Sequence, residues 1–101
     1  MKIEMRKGDT IQIEVSLTNN GEPFVPDGEL VVFSVGRALC RNPIFTTPVI
    51  DGVAYITHDM TADMRVGLYK YDVRVYTSDK TLVSTPCYGD FELLGVVNNG
   101  L

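Results

Sequence analysis

The most regular alternation in the chain lies over residues 67–76, where Tyr69, Tyr71, Val73 and Val75 recur at period two and Lys70, Asp72 and Arg74 fill the positions between them. That period sends the two sets to opposite faces, the pattern of a strand buried on one side. Two inward aromatics need covering layers, so the segment predicts the central strand of a β-sandwich. Residues 10–17 alternate equally well, with Ile11, Ile13, Val15 and Leu17 against Thr10, Gln12, Glu14 and Ser16. A short strand over residues 3–6, carrying Ile3 and Met5 on one face, is expected to reach it through the turn Lys7-Gly8-Asp9. After residue 17, Asn20-Gly21 and Pro26-Asp27-Gly28 supply turn chemistry on either side of Phe24 and Val25.

Residues 29–35 are apolar on both faces, with Leu30 and Val32 opposite Val31, Phe33 and Val35. Such a strand is either central or turns its outer face to another chain. The second possibility makes Val31 and Phe33 candidate protein contacts. Residues 37–42 show no period and read as a loop or short helical turn. Asp51-Gly52 between the β-rich runs 44–50 and 53–58 predicts a hairpin, and Pro48 moves the first of these toward a sheet edge. In residues 59–65, Asp59 or Thr61 can cap one helical turn that brings Met60 and Met64 to one side. Residues 77–80 form a turn, residues 81–88 an edge strand by virtue of Pro86, and Phe91 with Leu93 a final strand or its continuation.

Seven or so strands, turns every 8–12 residues and one helical turn near 59–65 make the expected fold all-β, an immunoglobulin-like two-sheet antiparallel sandwich. Residues 1–94 form the domain and residues 95–101 a flexible tail, whose Val96, Val97 and Leu101 are apolar enough to dock on a partner. Tyr69, placed after Gly67 at the start of a late strand, fits a tyrosine corner, in which the hydroxyl ties the strand to the loop before it. The plainer reading is a core aromatic with its hydroxyl at the rim.

A chain of 101 residues leaves room for one core, and 45% hydrophobic with 22% charged residues is ordinary for a globular protein. The net charge of −4, with basic residues scattered from Lys2 to Lys80, argues against nucleic acid as a partner. No apolar stretch approaches the ~20 residues of a bilayer crossing, so no membrane is expected. The N-terminus lacks the apolar block of a secretory signal, which points to cytoplasmic synthesis or a removed leader. Cys40 and Cys87 have no metal or redox spacing and are expected to be free thiols.

Candidate chemistry is sparse. His58, the single histidine, has Asp59 and Asp63 nearby but no second nitrogen ligand, and these acids stand where helix caps belong. Ser16, Ser34, Ser78 and Ser84 lack a nucleophile elbow, and the pair Asp27 and Glu29 belongs to a turn. Parity puts Tyr55, Tyr69 and Tyr71 inside and leaves Tyr76 and Tyr88 outward, where they serve as protein contacts or a weak sugar-stacking face. No enzyme activity, cofactor or metal is expected.

Two stretches carry a family resemblance. One is Lys7-Gly8-Asp9-Thr10 with its alternating strand, then Asn20-Gly21-Glu22-Pro23-Phe24, then the apolar residues 30–35. The other runs from Asp51-Gly52-Val53-Ala54-Tyr55-Ile56 through residues 59–64 and Gly67-Leu68-Tyr69-Lys70-Tyr71-Asp72-Val73-Arg74-Val75 to Gly89-Asp90-Phe91-Glu92-Leu93. Together they resemble the small immunoglobulin-like domains of tailed-phage and prophage structural proteins, in particular the N-terminal domain of baseplate upper proteins. The resemblance implies a virion component without catalytic residues, made in a bacterial host, that contacts other tail or baseplate subunits and forms homo-oligomers. That family's domain usually precedes further modules, whereas this sequence stops at Leu101, so a stand-alone accessory protein or a trimmed module is expected. The segment 37–43 is less typical of the family. The alternative is a cell-surface or secreted sandwich that binds carbohydrate or another ligand.

Overall fold

A computed structural model describes residues 2–19, 22–23, 28–37, 43–79 and 82–95. Their strands are β1 (Lys2–Arg6), β2 (Ile11–Glu14), β3 (Thr18–Asn19), β4 (Glu22–Pro23), β5 (Leu30–Gly36), β6 (Phe45–Ile50), β7 (Val53–Ile56), β8 (Gly67–Tyr76) and β9 (Leu82–Leu94), with the short helix α1 (His58–Thr61) between β7 and β8. Seven of them form one sheet in the order β1-β9-β8-β5-β6-β7-β2, while β3 and β4 pair separately. The sheet curls nearly into a barrel, which brings Ile11, Ile13 and Val15 of the β2 segment against the core of β5 and β8.

The all-β expectation holds, but the layers are joined where two separate sheets were expected. The joint is β6, whose Phe45 to Pro48 pair with Val35 to Val32 of β5 and whose Val49 and Ile50 pair with Ala54 and Val53 of β7. A strand that changes partners partway carries the sheet around a corner. The buried Thr47 hydroxyl closes that corner by donating to the Tyr55 carbonyl oxygen at 3.1 Å. Pairing is also not antiparallel throughout, because β1 lies parallel to β9 with Lys2 opposite Asp90 and Arg6 opposite Leu94.

Neither proline strand is an edge over its whole length, and in both the proline lies in a half that has one neighbour. Pro48 ends the half of β6 that pairs only with β5. Pro86 lies in the half of β9 that β1 does not reach, at a register shift between Val73↔Cys87 and Val75↔Ser84. A missing N–H is tolerated at edges and bulges because no ladder bond is lost there.

Local chemistry explains the remaining elements. Asp51 and Gly52 both have positive φ, 53° and 76°, as the tight turn joining β6 to β7 requires. Tyr69, Tyr71, Val73 and Val75 are buried as their period demands. Phe33 stacks on Tyr71 with ring centroids 5.4 Å apart, and Phe45 meets Phe91 edge to face at 6.4 Å. At the end of the barrel near α1, Met64 is buried and Met60 packs on the core. The buried Thr61 hydroxyl accepts from the Gly8 amide at 3.2 Å, fastening α1 to the β1–β2 turn.

Candidate protein-contact surface

The expected contact residues separate on inspection of their faces. Val31 and Phe33 are core residues, 5% and 0% exposed, so they are corrected from contacts to packing. The reason is register: Val31 and Phe33 stand opposite Val75 and Val73 of β8, whereas Leu30 and Val32 stand opposite Tyr76 and Arg74 on the outer face. Tyr76 is half-buried at the end of that face. Val96, Val97 and Leu101 lie outside the described residues, as do Cys40 and the Cys87 side chain. Tyr55 is a second correction, since Ala54 and Ile56 take the inward positions of β7 and leave Tyr55 exposed. The Tyr69 ring is buried and its hydroxyl donates to the Arg65 carbonyl oxygen at 2.5 Å, across the loop that enters β8.

The outer face of β1, β9 and β8 carries alternating charge. Lys2 Nζ meets Glu92 Oε1 at 2.7 Å, Lys70 binds Asp90, and Arg74 Nε meets Asp72 Oδ2 at 3.0 Å. The hydrogen bond that Lys2 donates to Glu92 raises the Lys2 pKa above its usual value, and the one that Lys70 donates to Asp90 lowers the Asp90 carboxyl. Arg74 is raised first by the Tyr76 hydroxyl beside it and then by Asp72. The exposed pairs Lys2–Glu92 and Lys70–Asp90 contribute little stability.

Asp72 differs from its neighbours because it is 6% exposed and its Oδ1 has no hydrogen-bond partner. A buried acceptor without a donor costs about 1–3 kcal/mol. Arg74 keeps 30% side-chain exposure and can turn to water when its partner is removed. Asp72→Val is therefore expected to keep or raise stability by about 1 kcal/mol, read as the urea midpoint. A loss of more than that would show that the carboxylate holds the face together.

Among the openings in the surface, two are apolar and lined by described residues. A groove of 610 Å³ at one end is lined by Val15, Leu17, Leu30, Val49 and Ile50, with Glu29 and Asp51 as its acids. A slot of 330 Å³ on the open side between β1 and β2 is lined by Ile3, Ile13, Val15, Phe33, Tyr71 and Val73, with Glu14 and Ser16 at β2. Ile50, 63% exposed, borders the groove, and Tyr88, 65% exposed, stands on the outer face of β9. Sequence patterning does not reveal the openings, because they depend on which strand edges remain unpaired.

Of the candidate groups near α1, Asp59 is held in the first turn of the helix. His58, Asp59 and Asp63 are exposed, and the Thr57 hydroxyl donates to Asp59 Oδ1 at 2.6 Å, which holds that carboxyl below its usual value. Among the described residues no group of three His, Cys, Asp or Glu side chains is placed to hold a metal ion. Among them, too, no helix is long and apolar enough to cross a membrane. No protein family, curated protein or solved structure matches the chain.

Proposed function

We propose that this chain is a non-enzymatic, immunoglobulin-like structural module of a phage-derived tail or baseplate, working in the virion through contacts with other virion proteins and with copies of itself. The observation that supports the immunoglobulin-like part of the reading is the strand order, and the tail or baseplate role rests on the sequence resemblance. With β2, β5, β6, β7, β8 and β9 taken as strands B to G, the run β9-β8-β5 follows the order of a G-F-C sheet and β6-β7-β2 that of D-E-B, within one continuous sheet. The Tyr69 hydroxyl bond at the entry to strand F fits the same scheme. In such a module the outer surfaces do the work: alternating ion pairs on one face, apolar openings at the end and side, and a weak interface multiplied by symmetry.

Tyr55 and Tyr88 are the exposed tyrosines suited to a sugar platform, but they lie on β7 and β9, which are not neighbours in the sheet. That separation favours the protein-contact reading. Light scattering of the purified chain, alone and mixed with tail proteins encoded beside its gene, tests it. Concentration-dependent assembly or a complex with those proteins is the expected result. A strict monomer at high concentration that binds none of them overturns the proposal.

A further inference from the structure

Among the described residues, no strand fills the open side of the barrel between β1 and β2. Among the described residues β2 pairs with β7 alone, and Val15 continues that pairing by donating to the Gly52 carbonyl oxygen at 2.8 Å. In an antiparallel ladder the residues that bond a given neighbour alternate. The backbones of Ile11, Ile13 and Val15 therefore turn toward β7, and those of Gln12, Glu14 and Ser16 turn toward the free edge. Glu14 and Ser16 line the 330 Å³ slot, whose half-buried walls are Ile13 and Ile3 and beneath which lie the buried side chains of Phe33, Tyr71 and Val73. A free strand edge thus lies beside an apolar trough, the combination that main-chain strand addition uses. In the sandwich scheme above, this is the place beside strand B that strand A takes, whereas β1 pairs with β9 instead.

The charges around the trough define what fits. On the β1 side Lys2 is bonded to Glu92 and Arg6 donates to the Gly95 carbonyl oxygen, so both cations are engaged within the chain. Glu4 and Glu14 stand exposed on the outward faces of β1 and β2. We infer that the free edge of β2 accepts an extended strand from a partner protein, with apolar side chains at alternate positions entering the trough and Lys or Arg between them facing Glu14 and Glu4. This rests on the contact-module reading and names the surface and the partner's chemistry.

The test uses the whole chain and a short synthetic peptide that alternates valine with lysine. Amide hydrogen exchange followed by NMR is expected to slow at Gln12, Glu14 and Ser16 on peptide addition, while Ile11 and Ile13, already facing β7, stay as they were. Replacing the peptide's lysines by glutamate should weaken binding. Glu14→Pro removes an N–H that no bond among the described residues uses, so it should leave the melting temperature in place and weaken peptide binding about tenfold. Should that variant fold poorly, Glu14→Lys supplies the same test by reversing the peptide's charge preference. Unchanged exchange at the edge amides with peptide bound or in excess overturns the inference. So does a dimer abolished by Glu14→Pro without any peptide response, which would give the edge to a second copy. If neighbouring tail proteins bind wild type and Glu14→Pro alike, the module reading stands and strand addition alone falls. If no tail protein binds yet the peptide protects the edge, strand addition stands and the tail-module reading falls.

Discussion

Phe33→Ala is expected to lower the unfolding free energy by about 3–5 kcal/mol, a large part of the stability a domain of this size possesses. Phe33 is fully buried and stacks on Tyr71, so truncation opens a hole between β5 and β8 that its neighbours cannot fill. Urea unfolding of the purified variant reads the effect directly. A variant that keeps wild-type stability and loses only partner binding would restore Phe33 to the contact surface and contradict its burial.

Tyr69→Ala is expected to cost a similar amount, about 3–5 kcal/mol, because the ring is buried. Tyr69→Phe separates the ring from its hydroxyl and should cost about 1 kcal/mol, the usual net value of one hydrogen bond. The bond in question runs to the Arg65 carbonyl oxygen and fixes the loop between α1 and β8. If the phenylalanine variant matches wild type in thermal and urea unfolding, the hydroxyl is incidental and the residue is only a core aromatic.

The buried face of β8 is legible in the sequence because its inward residues are aromatic or β-branched and the residues between them are mostly charged. The face of β5 is not, since Leu30 and Val32 are as apolar as Val31 and Phe33 and only the pairing with β8 chooses between them. Tyr55 misleads for a related reason: its size argues for the inside, but the two-residue turn fixes Ala54 opposite Val49 and gives the inward places to Ala54 and Ile56. The prolines signal an edge over only half of each strand, because a local sequence does not say where a neighbour stops. The free edge of β2 and the parallel pairing of β1 with β9 depend on residues far apart in the chain, and local periodicity carries no information about either.

That parallel pairing bears on how the molecule withstands pulling. Since β1 and β9 run the same way, tension applied at Lys2 and Leu94 drags the strands past each other lengthwise, so the five register pairs between them are strained together and not one after another. Hydrogen bonds loaded in shear share the force, whereas an antiparallel hairpin pulled from its open ends peels apart step by step. Single-molecule stretching through those two positions should therefore meet a sharp rupture peak, and stretching across the turn that joins β6 to β7 a lower one.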